Sequence, residues 1–414
     1  MSTIIEDVMA RKLYNSRGQE TIEVDIVTVD GFGRVGAPAG ASKGKAEVVS
    51  YPENSVDAAI QKMEELIVPE LIGMDAEEQN EIDALLHEID GTDNFSNIGG
   101  NTVFAISIAN AEAAATSHDL PLFQYLSGYL GADLPFPLGN VLGGGKHALG
   151  KTTDIQEYLV LPLKARCFAE AAQANVMVHK KIGTLLRKAD PNFTGGRGDE
   201  GAWAPNIHNE AALEIVGKAC NDVSDELGID CRPCLDVAAS SFYDAKNDVY
   251  VYSMEQKKRD CGEQLEFMLH LIETYNLAYV EDPFDEDDYQ SFAELTKKVK
   301  NCLISGDDLF VTNPERLSKG IKMGAGNSLI IKTNQVGTLS EAWETTKMAK
   351  NAGYVPVMSH RSGETTDPHL AHLAVGFSCP VIKCGVMPGE RVAKINELLR
   401  IEETLGNRAQ MAKM

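Results

Sequence analysis

The sequence lacks any apolar stretch long enough to cross a membrane, and its N-terminus lacks the basic and then apolar segment of a secretion signal. Aromatic residues make up only 7% of the 414 residues, but 43% are hydrophobic and 24% are charged, which is typical of a folded globular protein. These features predict a cytoplasmic protein without a membrane partner.

Positive charge is scarce relative to negative charge. Lysine and arginine together number 38, against 61 aspartates and glutamates, and the formal net charge is −23. Because an average surface of this sign repels the phosphates of a nucleic acid, we expect no nucleic-acid partner.

The eight cysteines lack the dense spacing of a disulfide framework. Cys231 and Cys234 form a C-x-x-C pair, a pattern found in zinc sites and in redox sites. Neither a second C-x-x-C pair nor a nearby histidine pair completes a zinc site in the sequence. We interpret the pair as coincidental and expect reduced thiols.

The first part of the chain shows a strand pattern followed by helix patterns. Apolar and polar residues alternate over 20–30, as in a half-buried strand, and Gly31 then indicates a turn. Apolar residues recur every three or four positions over 55–72 and 77–89, and 102–116 is rich in alanine. A segment with proline and glycine at 120–139 interrupts these patterns. We predict an N-terminal α+β domain over 1–128 and a second domain over 129–414.

Beyond residue 129, short apolar runs repeatedly end in a polar or charged residue. The chain between successive ends is long enough for a strand, a helix and two loops. This repeat predicts an α/β fold, a (β/α)8 TIM-type barrel, in which the run ends gather at the C-terminal face. Each end residue alone could be a solvated loop charge, but six in succession are difficult to explain in that way; they are Asp236, Glu281, Asp307, Lys332, His360 and Lys383.

Three carboxylates of this set, Asp236, Glu281 and Asp307, would repel one another in a pocket unless a cation joined them. A ligand set made of oxygen atoms favours Mg²⁺ over zinc, which more often recruits histidine or cysteine. The alternative is a structural network of ion pairs between these carboxylates and the two lysines, Lys332 and Lys383.

Lys332 is a candidate base. A bound metal and the charge of Lys383 would lower its pKa toward neutrality, so that it could remove a proton from the carbon next to a carboxylate. The metal would stabilise the enolate charge that develops in such a step. Arg361 and Ser362 follow the apolar run that ends at Ser359 and could bind a phosphate, although an ordinary polar loop explains them equally well.

Several segments, taken in order, closely resemble the enolase family of phosphopyruvate hydratases over nearly the whole chain. The resemblance implies a barrel of the enolase kind, with an antiparallel strand among its early strands, capped by the N-terminal α+β domain. It also implies two Mg²⁺ ions per active site and a homodimer or higher homo-oligomer. The matching segments are NSRG (15–18), GAS (40–42), GDEG (198–201), LDVAAS (235–240), EDPF (281–284), GDDL (306–309), KTNQ (332–335) and SHRSGE (359–364).

The resemblance implies the reversible dehydration of 2-phosphoglycerate to phosphoenolpyruvate, a step of glycolysis and gluconeogenesis. Lys332 would remove the C2 proton, and Glu200 would protonate the leaving hydroxyl while Glu157 shares that proton. The metal ligands would be Asp236, Glu281 and Asp307 for the first ion, with Ser42 on the second. The residues implied to contact substrate are His147, Gln156, Glu157, His360, Arg361, Ser362 and Lys383.

The chain departs from the usual family pattern mainly in loops that would close over the substrate. Ala39, Lys43, Gly143 and Ala202 replace residues that are usual in the family, and Lys45 adds a positive charge nearby. Two alternatives to the leading hypothesis therefore stay open. One is an enolase paralogue that dehydrates a different phosphorylated hydroxy acid. The other is a non-catalytic scaffold that kept the fold, against which the presence of the candidate acid and base argues.

Overall fold

The computed structural model describes residues 2–41, 44–128, 133–148 and 150–414. The N-terminal part opens with an antiparallel sheet of three strands, β1 (Ile5–Tyr14), β2 (Glu20–Thr28) and β3 (Phe32–Gly36). β2 is the central strand and holds most of the alternating segment predicted over 20–30. Its residues Ile22 and Val24 are fully buried.

Helices follow the sheet, as predicted. A π-helical turn over Met63–Ile67 joins the first two helices, so the segment predicted as one helix over 55–72 is helical through most of its length. The fifth helix lies inside the segment predicted as irregular, which was missed because it is short and is bounded by Pro121 and Gly128. The helices are α1 (Val56–Lys62), α2 (Val68–Leu71), α3 (Gln79–Asp90), α4 (Gly100–Ser117) and α5 (Leu122–Ser127).

α4 is the core helix of the N-terminal part. Almost all residues of α4 are buried, because its own side chains are small or apolar around the whole circumference of the helix. Gly33 of β3 lies against it so closely that a Cβ atom at this position would be 2.0 Å from the carbonyl oxygen of Ala109. The sheet and the helix therefore pack backbone against backbone, which a larger residue at position 33 would prevent.

The second part contains a closed barrel of eight strands. In order around the barrel, these are the strands that begin at Phe136, Glu157, Asp230, Tyr279, Leu303, Ser328, Val355 and Val381. The strands are β4 (Asp133–Leu134), β5 (Phe136–Gly143), β6 (Glu157–Leu163), β7 (Asp230–Asp236), β8 (Tyr243–Asp244), β9 (Val249–Tyr252), β10 (Lys257–Arg259), β11 (Tyr279–Glu281), β12 (Leu303–Gly306), β13 (Ser328–Ile331), β14 (Val355–Ser359), β15 (Val381–Gly385) and β16 (Gln410–Met411).

Helices alternate with the later barrel strands and pack against them. The helix that begins at Cys261 starts with a capping box between Asp260 and Glu263. The helices are α6 (Phe168–Ala189), α7 (Asn209–Leu227), α8 (Cys261–Tyr275), α9 (Tyr289–Lys298), α10 (Pro314–Met323), α11 (Thr333–Val336), α12 (Leu339–Asn351), α13 (His369–Gly376) and α14 (Gly389–Leu405).

One barrel strand runs against the others. β6 pairs antiparallel with both β5 and β7, whereas the remaining barrel pairs are parallel. The uniformly parallel barrel expected from the strand repeat is therefore wrong at β6, and the antiparallel strand implied by the family resemblance is confirmed. The described residues between β5 and β6 form a short 3-10 turn (Gly145–His147) and no α-helix, so nothing there carries the chain back across the barrel.

The eight cysteines are free thiols. Cys231 and Cys234 are both buried in β7, and residues three apart on a strand point to opposite faces, so these two thiols cannot share one ion. Among the described residues, no helix is both long and apolar enough to span a membrane.

Candidate active site

The six residues predicted at strand ends lie at one end of the barrel. Asp236 and Glu281 are the last residues of β7 and β11, and Lys383 lies within β15. The first residues after β12, β13 and β14 are the other three, Asp307, Lys332 and His360. Since these strands are parallel, all six side chains belong to the C-terminal face.

Five of these six residues line one pocket together with residues implied by the resemblance. Glu281 is fully buried and does not line it. Ser42 and Lys43 lie outside the described residues. The predicted residues that line the pocket are His147, Gln156, Glu157, Glu200, Asp236, Asp307, Lys332, His360, Arg361, Ser362 and Lys383.

Lys383 lies between the predicted metal ligands. Its Nζ donates to Asp236 Oδ2 and to Glu281 Oε1, both at 2.8 Å, and lies 3.2 Å from Glu157 Oε2. Asp236 and Glu281 are paired residues of adjacent strands. One carboxylate oxygen each of Glu281, Asp282 and Asp307 lie within 4.8 Å of one another. Glu281 is therefore next to both of the other predicted ligands.

Asp282 is a member of this cluster that the sequence analysis did not single out. Its Oδ1 accepts the backbone N–H of Asp307 at 3.0 Å, and its Oδ2 accepts that of Asp308 at 2.8 Å. Its backbone has a φ of 43°, in the left-handed region. Asp282 therefore fixes the turn that carries Asp307.

The electrostatics of the cluster favour a cation. Burial and the neighbouring charge of Asp236 raise the pKa of Glu281 well above its usual range. Burial and the charges of Asp308 and Asp307 do the same to the pKa of Asp282. Buried oxygen donors whose charge is incompletely compensated fit a hard divalent ion, which when bound would stabilise negative charge on a substrate carboxylate. The alternative ion-pair network is present as well, since both lysines pair with these carboxylates.

The charged group nearest to the amine of Lys332 is a carboxylate. The amine forms an ion pair with Asp307. Burial and the charges of Arg361 and Lys383 lower the pKa of Lys332, but Asp307 and Glu281 outweigh them and the pKa lies above its ordinary value. The charge of Lys383 alone therefore does not lower this pKa, and the expected lowering requires the bound metal as well.

The candidate acid Glu200 belongs to a second cluster around His147. Nδ1 of His147 lies 2.8 Å from Glu157 Oε1 and 3.7 Å from Glu200 Oε1. Glu200 Oε2 accepts a hydrogen bond from Asn140 Nδ2 at 3.0 Å and lies 3.1 Å from Nε2 of His360. The two glutamates therefore share one histidine and can exchange a proton through it.

The two glutamates have opposite pKa directions. Burial and the charge of Glu200 raise the pKa of Glu157. Burial opposes ionisation of Glu200 too, but His360, His147 and Arg391 outweigh it and lower its pKa well below the usual range. Within this pair, Glu157 is therefore the carboxyl group that binds a proton more readily.

The predicted phosphate-binding residues already form hydrogen bonds within the chain. Nη2 of Arg361 donates to both carboxylate oxygens of Glu47, at 3.1 and 3.0 Å, and Nη1 donates to Asn334 Oδ1 at 2.7 Å. Ser362 Oγ accepts the backbone N–H of Ala41 at 2.6 Å. A guanidinium that binds a carboxylate with both oxygens has the geometry to bind a phosphate.

Sequence reasoning missed several residues of the site, namely Glu47, Asn140, Asp282 and Gln335. Gln335 donates to Asp307 Oδ1 at 2.9 Å. Asp282 and Gln335 lie in the quoted EDPF and KTNQ segments, so their motifs were a signal. Asn140 lies within an apolar strand, which offers no such signal.

The fold and the site together define a class of protein. An amine and a carboxyl pair face one pocket whose wall supplies carboxylate ligands for a hard cation and a guanidinium for an anion. This arrangement suits removal of a proton beside a carboxylate and loss of hydroxide from the next carbon. The chain is a barrel lyase.

Comparison with known proteins identifies the lyase. Residues 5–126 match the family model "Enolase, N-terminal domain", and residues 132–414 match "Enolase, C-terminal TIM barrel domain". The enolase of Methanosphaera stadtmanae is 55% identical over 98% of this chain and 99% of its own length. The enolases of Methanothermobacter thermautotrophicus and Pyrobaculum aerophilum are 53% and 47% identical, over 98% and 99% of each chain. The chain belongs to the enolase family.

This membership confirms the predicted family, the barrel with its N-terminal domain, and the enzyme class. The activity is that of a phosphopyruvate hydratase, a carbon–oxygen lyase that interconverts 2-phosphoglycerate and phosphoenolpyruvate. The high identity over nearly the whole length leaves little support for the scaffold alternative, and the acid and base candidates are both in the pocket.

Three of the residues that depart from the family pattern, Ala39, Gly143 and Ala202, form backbone hydrogen bonds. Ala39 and Gly363 exchange two backbone hydrogen bonds, of 2.7 and 2.8 Å. The N–H of Gly143 donates to the carbonyl of Trp203, and the carbonyl of Ala202 accepts from Gly198. The side chain of Lys45 pairs with Asp287 at 3.0 Å and with Glu286 at 3.2 Å. Its charge is therefore compensated within the chain, and it gives no indication of a more anionic substrate.

Proposed function

We propose that the described residues divide the dehydration of 2-phosphoglycerate between two sides of the pocket. Lys332 takes the proton from C2, and the cluster of His147, Glu157 and Glu200 supplies the proton that leaves with the C3 hydroxyl. The observation that carries this proposal is that Lys332 and Glu200 line the same pocket without contacting each other through any described hydrogen bond. Base and acid thus act independently on the two carbons, as an anti elimination requires.

Binding of the substrate is assigned to the remaining residues of the pocket. Arg361 and Ser362 bind the phosphate, with Glu47 as the group that the phosphate replaces on the guanidinium. Lys383 and Gln156 lie at the carboxylate end, where Gln156 donates to Asp236 Oδ2 at 3.2 Å.

Magnesium is the proposed cation, with two ions in each active site. Asp236, Glu281 and Asp307 would hold the first ion. Asp236 and Glu281 are buried and paired on adjacent strands, and carboxylate oxygens of Glu281 and Asp307 lie within 4.8 Å of each other, which supports this assignment. Ser42 would bind the second ion, and this role rests on the family resemblance alone.

Three further features complete the proposal. The chain acts in the cytoplasm, which the eight free thiols support, and it assembles as a homodimer or a higher homo-oligomer, by analogy with the family. It is divided into domains over 1–128 and 129–414, close to the extents of the two family models.

A direct assay tests this function. Purified protein is mixed with Mg²⁺ and 2-phosphoglycerate, and the ultraviolet absorbance of the enol phosphate product is followed. We expect product formation that stops on addition of a chelator and resumes with excess Mg²⁺. A lack of product, with activity on another phosphorylated hydroxy acid, would establish the paralogue alternative instead.

A further inference from the structure

Arg391, in the first turn of α14, is fully buried and is the largest side chain to be so enclosed. A guanidinium cannot lose its charge in a protein, so its burial is costly unless hydrogen-bond acceptors surround it. The nearest carboxylate oxygen in its ion pairs, Oε1 of Glu390, lies 3.5 Å from Nε. Arg391 therefore takes its closer partners from elsewhere.

Those partners are three consecutive residues of the active site. Nη1 donates to the carbonyl oxygen of Arg361 at 2.6 Å and lies 2.9 Å from Nδ1 of His360. Nη2 donates to the carbonyl oxygen of Ser362 at 2.8 Å. One buried side chain thus holds the segment that presents the phosphate-binding residues, together with the histidine that faces the acid.

The contact with His360 determines which ring nitrogen carries the proton. Arginine has no acceptor, so Nδ1 of His360 must be the unprotonated nitrogen. The backbone N–H of Gly385 also points to Nδ1, at 3.3 Å. The ring proton is consequently on Nε2, which lies 3.1 Å from Glu200 Oε2.

A second contact from α14 reinforces the same segment. Nζ of Lys394, one turn further along the helix, donates to the carbonyl oxygen of Thr365 at 2.7 Å and pairs with Glu364 at 2.8 Å. Glu364 in turn accepts the backbone N–H of Arg361 at 2.9 Å. Lys394 therefore holds the end of the segment, but it makes no hydrogen bond to His360 among the described contacts.

We propose that Arg391 is a positioning residue that fixes the ring proton of His360 on Nε2, on the side of Glu200, and at the same time aligns Arg361 and Ser362 for the phosphate. The assignment of the two ends to acid and phosphate rests on the proposed function. The orientation of the imidazole does not, because it follows from the hydrogen bonds alone.

The primary test is the tautomer of His360 in the intact protein without substrate. The protein is labelled with ¹⁵N-histidine, and the signal of His360 is identified by its loss in His360→Gln. We expect two-bond and three-bond couplings that show a protonated Nε2 and an unprotonated Nδ1. A protonated Nδ1 in the wild-type protein would overturn the proposal, whatever the activity.

The variants Arg391→Met and Lys394→Met separate positioning from general packing. Arg391→Met should change the His360 signals to a mixture of tautomers, lower kcat by about 100-fold and raise KM, because both ends of the segment lose alignment. Lys394→Met should leave the tautomer unchanged. An Arg391→Met variant that loses only thermal stability, with wild-type His360 signals and kinetics, contradicts the proposal.

Arg391→Lys keeps the positive charge and a hydrogen-bond donor. It therefore tests the proposal even if Arg391→Met does not fold. We expect it to retain the Nε2–H tautomer in part and to have a kcat between those of the wild type and Arg391→Met. Wild-type kcat and KM in Arg391→Lys, together with a His360 signal in which Nδ1 is protonated, would show that the tautomer set by Arg391 has no part in the reaction, and would contradict the proposal. If the proposed function fails but the tautomer is as stated, only the assignment of acid and phosphate ends is lost.

Discussion

The amine of Lys332 forms an ion pair with the carboxylate of Asp307, which follows the neighbouring strand of the barrel. The proposed base is therefore oriented by a proposed metal ligand. The ion pair fixes the position of the proposed base relative to the proposed metal ligand, because the two residues directly follow the hydrogen-bonded strands β13 and β12.

Lys332→Ala should abolish exchange of the C2 proton of 2-phosphoglycerate with solvent while substrate still binds. The variant lacks the amine that takes this proton, and loss of a general base lowers rates by about 10² to 10⁴-fold. Proton exchange is measured by NMR in deuterated water, and binding by calorimetry. Lys322→Ala, which changes an exposed lysine of α10, is the control. Exchange at the wild-type rate in Lys332→Ala would remove this residue from its role.

Glu200→Gln should separate proton removal from loss of the hydroxyl. The amide cannot supply a proton, so dehydration should fall by about 10² to 10⁴-fold, while C2 exchange through Lys332 continues. Glu157→Gln should also impair dehydration, because the raised pKa of Glu157 makes it the carboxyl group of the pair that binds a proton more readily. Both rates are followed in the same samples. Equal loss of exchange and dehydration in Glu200→Gln would contradict the division of labour.

Asp25 gives a pH-dependent contribution to stability. It is buried in β2 and accepts hydrogen bonds from Arg11 and Arg34. Burial would raise the pKa of Asp25, but the two guanidinium groups outweigh burial and lower it to about 2. A lowered pKa in the folded state means that the contribution is fully present above the ordinary value of 3.8 and is lost as the pH falls through about 2.

Asp25→Asn should therefore reduce the free energy of unfolding at neutral pH by no more than about 2 kcal/mol, because Arg34 is half exposed and solvent weakens the pair. The difference from the wild type should shrink between pH 3.8 and 2. Urea unfolding at several pH values measures it. Asp93→Asn, at an exposed position, is the control. A difference that stays constant with pH would show that the ion pairs make no contribution.

Gly183 of α6 controls the placement of Trp203, which follows the segment carrying Glu200. A Cβ atom on Gly183 would lie 2.5 Å from Cζ2 of the indole. The indole N–H donates to the carbonyl of His179 at 2.8 Å, and the backbone N–H of Trp203 donates to Val141 of β5 at 3.1 Å. Displacing the ring would therefore disturb the link between this segment and the barrel.

Gly183→Ala should destabilise the protein by about 1–3 kcal/mol, the usual cost of overpacking, and should lower kcat. Gly217→Ala is the matched control, because this helical glycine has open space around its Cβ position. It should leave kcat unchanged and stabilise the protein by about 0.5–1 kcal/mol. Thermal unfolding and the absorbance assay measure both effects. A Gly183→Ala variant as stable and active as Gly217→Ala would show that Trp203 is not constrained.

The residues at strand ends could be predicted because their signal is local. An apolar run followed by a charge marks Asp307 or Lys332 without knowledge of the fold, and parallel strands then bring them together. Glu200 has no such signal, since it lies in a loop between α6 and α7 and reaches the pocket through tertiary contacts. Its role came from family resemblance alone.

The ionisation of the site could not be read from residue types. Lys332 was expected beside cations, but the pKa depends on which charge lies closest, and that charge is Asp307. Asp282 likewise follows Glu281 directly in sequence, yet its side chain turns to bind backbone N–H groups of the next strand's loop. Which groups these side chains contact depends on the three-dimensional course of the backbone.

The reversed direction of β6 brings Glu157, the first residue of that strand, to the same barrel end as Asp236. The chain therefore leaves the barrel mouth after Gly143 and re-enters it at Glu157, and the described residues between these points form no α-helix. Both anchors of this connection lie at the mouth. Insertions or deletions within this connection would change the entrance to the pocket, while the barrel strands beneath it would keep their register.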